Sequence, residues 1–295
     1  MLNGVINIYK EAGFTSHDVV AKMRGILKQK KIGHTGTLDP MAVGVLPVCI
    51  GSATKLCDML TDKRKEYIAE LLLGVATDTQ DTSGEVLSRK DVCVSEQEVC
   101  TAVLSMLGAG KQIPPMYSAL KVNGKKLYEL AREGKTVERK PRDITIYEIE
   151  VLDIALPVVK FRVLCSKGTY VRTICQDIGE KLGCGGCMQS LVRTKVERFD
   201  IDGAITLAQL EQARDLGTLM EYVVPVEEMF DTLPKVIVLS RFQKMLENGN
   251  VFTPNMCAKD APEGEVRVYN EEGRFYGVYV YEPRMHAYKP VKMFL

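Results

Sequence analysis

Gly33-His34-Thr35-Gly36-Thr37-Leu38-Asp39-Pro40 constrains this chain more than any other stretch, because it sets one carboxylate in a loop of turn formers and small polar groups. Gly33 and Gly36 permit backbone angles that other residues resist, and Pro40 fixes φ just after the acid. A residue before proline is driven to extended geometry, which takes Asp39 out of any helix. A carboxylate held in this way can be aimed at a ligand. The ordinary role of a lone Asp-Pro is a cap or an Asx-turn. The residues that follow argue for more. Met41-Ala42-Val43-Gly44-Val45-Leu46-Pro47-Val48-Cys49-Ile50-Gly51 is apolar and carries two further glycines, the wall that a partly dry pocket needs. Ser52-Ala53-Thr54-Lys55 then opens a short helical pattern.

At 295 residues the chain has room for one large domain and a small one. With 46% hydrophobic and 26% charged residues it reads as an ordinary water-soluble protein. Met1 to Phe14 lacks the apolar core of a signal peptide, and Ala42 to Ile50, broken by Gly44 and Pro47, is too short to cross a bilayer. The 9 cysteines, an odd number, are expected as free thiols of a reducing cytoplasm. A net charge of +1 does not announce a nucleic-acid binder, but the charge is unevenly spread. Lys121, Lys125, Lys126, Arg132, Lys135, Arg139, Lys140 and Arg142 face only Glu129, Glu133 and Glu138, and Lys28, Lys30 and Lys31 precede the Asp39 loop. Two such patches can hold phosphates on an otherwise neutral surface, although any one basic run is usually a solvated face.

The periodicity predicts a strand over Val5–Tyr9 ending at Lys10, and a helix capped by Thr15 or Ser16 with Val19, Met23, Ile26 and Leu27 on one face. A buried strand is expected over Tyr67–Leu73, and a loop over Thr77–Gly84. Ser95 and Glu98 form a capping box before a face of Val99, Ala102, Val103, Met106 and Leu107. Asn123-Gly124 predicts a hairpin turn. Ile144–Ile154 and Val158–Cys165 read as paired strands joined through Pro157. Val171, Ile174, Ile178 and Leu182 mark a helix stopped at Gly183, Leu191–Phe199 a strand, and Thr206–Ala213 a short helix. Without regular βαβ alternation this order predicts an α+β fold with a mixed or largely antiparallel sheet and flanking helices. After about residue 230 the texture changes to short strands, Val236–Leu239, Glu265–Tyr269 and Phe275–Tyr281, with turns at Asn248-Gly249 and Glu272-Gly273. The chain therefore divides into 1–230 and a β-rich module over 231–295.

The run from Gly33 to Lys55 closely resembles the signature of the TruB family of tRNA pseudouridine synthases, in which the aspartate of G-H-T-G-x-L-D-P is catalytic. Ser166-Lys167-Gly168-Thr169-Tyr170-Val171-Arg172-Thr173-Ile174 and the block from Ile113 to Tyr128 match two further family motifs in family order. The resemblance implies a pseudouridine synthase domain over 1–230 and a PUA-like RNA-binding domain over 231–295, the latter by position and strand pattern. It implies that Asp39, Tyr67 and Arg172 are catalytic. Arg172 would pair with Asp39; Tyr67 would stack on the target base and help remove its C5 proton. Ile174 and Leu191 would line the base pocket, His34 would help displace the uridine, and Tyr117 and Lys121 would lie near the cleft. Lys10 joins them as a substrate-binding candidate, although Lys10-Glu11 stands where the family has Lys-Pro. Taken alone, Arg172 is an exposed helix arginine, Tyr67 a core tyrosine, and Ile174 and Leu191 ordinary core.

The implied reaction turns a tRNA T-loop uridine, at position 55, into pseudouridine. The N1–C1′ bond must break, the base turn, and C5 join C1′. A carboxylate can act as nucleophile and leave again, or stabilise a cationic or glycal-like sugar and move a proton. Neither a redox step nor an activated water is involved, so no metal and no cofactor is expected. Cys184-Gly185-Gly186-Cys187 is a lone CxxC without a second ligand pair, better read as a glycine-rich turn flanked by thiols. The expected partner is the T-arm of tRNA, with no membrane, no obligatory protein partner and a monomeric chain. The rivals are a guide-dependent dyskerin-like synthase, a non-catalytic RNA-binding or tRNA-folding protein, and a hydrolase with Asp39 as nucleophile. The last lacks an evident water-activating base.

Overall fold

The computed structural model describes residues 2–122 and 124–295. Strand β1 (Gly4–Lys10) leads to helix α1 (Ser16–Leu27), β2 (Ile32–His34) and β3 (Val43–Ile50). Thr15 caps α1 and Asp18 closes the capping box, so the helix starts where its side-chain chemistry dictates. A 3₁₀ turn over Gly51–Leu56 and helix α2 (Cys57–Thr61) precede β4 (Lys65–Leu73) and the hairpin β5 (Val75–Thr77) and β6 (Val86–Arg89). Helix α3 (Glu96–Leu104), with the expected Ser95–Glu98 box, leads to β7 (Gly108–Gln112). The short pair β8 (Lys121–Val122) and β9 (Lys125–Lys126) is followed by α4 (Leu127–Arg132). The long hairpin β10 (Arg142–Ala155) and β11 (Val158–Cys165), helix α5 (Val171–Lys181), β12 (Gly186–Val196), β13 (Phe199–Asp200) and α6 (Leu207–Leu216) complete the large unit.

Its sheet runs β1-β3-β12-β4-β11-β10-β7, with β2 on β3 and β13 on β12. Every pairing is antiparallel except β3 with β12, where Val192 meets Val43 and Arg193 meets Gly44. The expected α+β class with a largely antiparallel sheet is what the chain adopts. β4 sits between β12 and β11, and its buried residues Tyr67, Ala69, Leu71 and Leu73 alternate with half-buried ones. The buried set packs with Ile174 and Ile178 of α5 and with Val99 and Val103 of α3. On the β1–β3 side, α1 and α6 cover Ile6, Ile8, Leu46 and Val48.

The smaller sheet is β14 (Lys235–Val238), β15 (Glu265–Asn270), β16 (Phe275–Glu282) and β17 (Ala287–Met293), with α7 (Gln243–Glu247) beside it. Its core gathers Val236, Val266, Phe252, Tyr276, Tyr279 and Tyr288. Val278 and Phe294 instead pack with Val5, Val45, Phe199 and Phe230, which ties this sheet to the back of β1 and β3.

Several local expectations shift. The helix after Ser95 ends at Leu104, leaving Met106 partly packed and Leu107 exposed, because a glycine with φ +102° at position 108 starts the next strand. The strand expected from Leu191 begins at Gly186, where glycine lets the chain pass close to α5: a Cβ there would meet Cys175 O at 3.0 Å. Asn248-Gly249 ends α7 rather than joining two strands. The expected Asn123-Gly124 turn falls in part on Asn123, outside the described residues; Gly124 has φ +84° between β8 and β9. Thr77–Gly84 is a loop, but one held at its ends by the β5–β6 hairpin.

Candidate active site

Asp39 lies in the loop between β2 and β3, and the main chain around it is tied down on both sides. The Leu38 N–H donates to Ser16 Oγ at 2.9 Å, the Ala42 N–H to Asp39 O at 3.1 Å, and the Gly13 N–H to Pro40 O at 2.9 Å. The Lys10 ammonium, 0% exposed, donates to the carbonyls of Glu11 (3.0 Å), Phe14 (2.7 Å) and Pro40 (3.0 Å). A lysine expected on the substrate is thus committed to the main chain, and it pins the end of β1 to the Asp39 loop. Burial pushes its pKa down to about 8, against the pull of the Asp39 carboxylate.

Arg172, the second residue of α5, reaches this loop from a distant part of the chain. It is buried, and its Nε lies 3.1 Å from Asp39 Oδ2 while Nη2 donates to Oδ1 at 3.3 Å. Nη2 makes the hydrogen bond while Nε, close but without a hydrogen-bond partner, adds an ion contact, and together they orient and charge the carboxylate. The same guanidinium donates to Tyr117 O at 3.0 Å and Thr79 O at 3.3 Å, so three loops converge on one side chain. Its Nη1 also lies 3.6 Å from Asp81 Oδ2. Asp81 is fixed in turn by Thr79 Oγ1 at 2.7 Å and the Ser83 N–H at 3.0 Å.

The Asp39 side chain keeps about a third of its surface open (36%) while its neighbours crowd the carboxylate. Burial raises its proton affinity, Arg172 opposes that, Asp81 adds like-charge repulsion, and Lys10 pulls the other way. A carboxylate partly exposed on one side and held by a cation on the other can meet a ligand while the cation favours its charged form.

Tyr67, Ile174 and Leu191 lie together in the apolar cluster that also contains Leu38 and Ala42, so these three residues and the Asp39 loop share one core. Tyr67 is buried, and burial pushes its phenol up to about 12 against the Arg193 charge. His34, half-buried, packs edge-on against His17 with centroids 5.3 Å apart. Its Nδ1 accepts from the Gly36 N–H at 3.3 Å, and burial pulls its pKa to about 4, leaving a neutral ring at the loop's edge. Tyr117 lends its carbonyl to Arg172 and its hydroxyl to Asp78 Oδ2 at 3.1 Å. Lys121 is exposed on the β8–β9 hairpin and takes no part in this network.

The structure thus brings Asp39, Arg172, Tyr117 and Lys10 into one polar network, and Tyr67, Ile174 and Leu191 into the apolar cluster that Leu38 and Ala42 of the same loop join. Sequence reasoning missed Thr79, Asp81 and Arg193. The Asp, Thr and Ser content of 77–84 marked a loop but not its contact with a helix 90 residues on. Among the described residues no group of three or more His, Cys, Asp and Glu is placed to hold a metal. Cys184 and Cys187 are both buried, Cys184 within the turn and Cys187 at the start of β12.

Residues 24–171 match the model of the TruB family pseudouridylate synthase N-terminal domain, and residues 172–231 that of the tRNA pseudouridylate synthase B C-terminal domain. The chain is 52% identical to the tRNA pseudouridine synthase B of Lachnoclostridium phytofermentans, with all of both chains covered. It is 48% identical to that of Alkaliphilus oremlandii, covering 99% of this chain and 97% of the relative. Among solved structures it resembles a chain of a Cbf5-Nop10-Gar1 complex, with TM-score 0.73, 29% identity, and 99% of this chain and 85% of that one covered. A chain of an H/ACA RNP bound to a substrate RNA containing 2′-deoxyuridine superposes with TM-score 0.71 at 26% identity, over 99% and 85%.

Proposed function

The chain belongs to the TruB family of pseudouridine synthases, and from that premise we propose that it isomerises uridine to pseudouridine at position 55 in the T-loop of tRNA. The observation that carries the reading at this site is the ion pair between the buried Arg172 and the partly exposed Asp39. The T-loop uridine is extruded into the cleft, at a cost of a few kcal/mol by rough estimate. His34 at the loop's edge helps fill the space it leaves. Tyr67 takes the base on its ring face, while Ile174 and Leu191 exclude water around it. Arg172 keeps Asp39 ionised against the burial that raises its pKa. Asp39 then engages the sugar at C1′ as N1–C1′ breaks, and the base turns so that C5 meets C1′. The C5 proton leaves, N1 gains one, and the product is an isomer with no net change in atoms.

We read residues 231–295 as a PUA-like module that adds RNA contacts, and the exposed lysines of 121–140 as backbone clamps that position rather than specify. The chain is proposed to act in the cytoplasm as a monomer on tRNA alone. The guide-dependent alternative is less favoured, because relatives at about half identity over the full chain carry the tRNA enzyme's name. The test is tritium release from unmodified tRNA carrying C5-tritiated uridine, with the purified protein alone. Release of one equivalent, mapped to the T-loop, supports the reading. No release with tight binding intact would replace it by a binding role or a guide-dependent one.

A further inference from the structure

One buried cation next to this site is unexplained by the chemistry above. Arg193 of β12 is 1% exposed and has no carboxylate partner among the described residues. Its Nε donates to Val45 O at 2.6 Å and its Nη2 to Gly36 O at 3.3 Å, so it grips the Asp39 loop on both sides, three residues before the acid and six after. Its own main chain is pressed on the same segment: a Cβ on Gly44 would come within 2.3 Å of Arg193 O. Across the β4–β12 pairing Arg193 stands directly opposite Tyr67, on the buried face. Side chains at opposed positions of an antiparallel pair are close neighbours. Nη1, the one corner left over, has no well-aligned acceptor, and the side chain that interacts with the guanidinium is the Tyr67 phenol.

A buried guanidinium with no counter-ion is expensive and is retained only where the fold gains something specific from it. Arginine has no acceptor and does not lose its proton. Any hydrogen bond between the two side chains therefore has Arg193 donating and the Tyr67 oxygen accepting. That leaves the phenol's own proton to point away from Arg193.

We propose that Arg193 is a positioning residue for the isomerisation, holding the Tyr67 hydroxyl and the Asp39 loop in one rigid frame so that phenol and carboxylate meet the extruded uridine in fixed relation. It makes and breaks no bond and touches no substrate. Removing its charge also takes away the influence that offsets the burial of the phenol, so the proton affinity of Tyr67 rises further.

This inference rests on the proposed reaction, and the experiment separates the two. Single-turnover conversion of unmodified tRNA is measured for the wild-type chain, Arg193→Lys and Arg193→Gln, together with tRNA Kd and Tm. Wild-type turnover tests the reaction itself. Given that, the expected result is a fall in the first-order rate of at least about tenfold for Arg193→Gln, with Kd within about twofold. Arg193→Lys should recover part of the rate. A lowered Tm with an unchanged rate in the folded fraction would overturn the proposal, since Arg193 would then serve only the fold. So would failure of both variants to fold.

Discussion

Asp39 and Arg172, read separately as an Asx-turn and an exposed helix arginine, meet at 3.1 Å, and Arg172 is buried. Asp39→Asn keeps the shape and removes the charge. Turnover is expected to fall on the order of a thousandfold or more, with tRNA affinity nearly intact. Full turnover in that variant would remove Asp39 from the chemistry. The direction of its pKa gives a second test. Burial already raises it and Arg172 restrains the rise, so in Arg172→Met the carboxylate must hold its proton to higher pH. The acid limb of kcat/KM should therefore move upward in pH, with loss at neutral pH of about a hundredfold or more. An unmoved acid limb would mean that the limb belongs to another group. These two residues were legible because each sits in a long motif. Asp81 and Arg193 were not, because each matters only through a neighbour that the strand pairing or the loop fold brings to it.

At the scale of elements, the placing of the Asp39 loop depends on how β3 is bound to β1 on one side and β12 on the other. The N-terminal signals of α1, α3 and α6 were readable from Thr15, Ser95 and Thr206, since capping is local chemistry. The parallel contact of β3 with β12 was not, because it joins residues about 150 apart. Gly44 has φ +104° and no room for a Cβ against Arg193 O. Gly44→Ala should destabilise the chain by at least about 2 kcal/mol and slow turnover of the folded fraction, read by denaturant melts and single-turnover assays. Wild-type stability in that variant would mean the two strands part without cost. Lys10 gives the element-scale pH test. Unfolded, it holds its proton to about 10.5; folded and buried, it releases it near 8. Between those values the unfolded chain binds more protons, so this group's contribution to stability is lowest below pH 8 and rises as pH climbs toward 10.5. The stability of wild type relative to Lys10→Met should grow by up to about 3 kcal/mol across that window. A difference that is flat or falls would contradict the burial of the ammonium.

For the whole molecule the question is how a chain of net charge +1 holds a polyanion. The composition gave no sign of it, and the uneven spacing of lysines and arginines gave the only one. In the folded chain Lys28, Lys30 and Lys31 are exposed where α1 leads into β2, and Lys121, Arg132, Lys140 and Arg142 are exposed after Tyr117. Not every cation in that second run is available. Glu133 binds Lys125 at 3.5 Å and Lys135 at 2.7 Å, and Arg139 donates to Pro114 O at 3.1 Å. The remaining exposed charges could neutralise roughly four phosphates, which gives a slope of about −4 for log K against log salt. Raising salt from about 50 to about 200 mM should then weaken tRNA binding by roughly two orders of magnitude. Replacing Lys121 or Lys140 by Gln should reduce the slope by about one each and weaken tRNAs of different sequence alike, since phosphate contacts carry no sequence information. Filter binding over that salt range decides it. A flat response would mean that the patches face away from the RNA. A slope left unchanged by both substitutions, with the overall response still steep, would move the phosphate contacts to the Lys28–Lys31 cluster and to the smaller sheet.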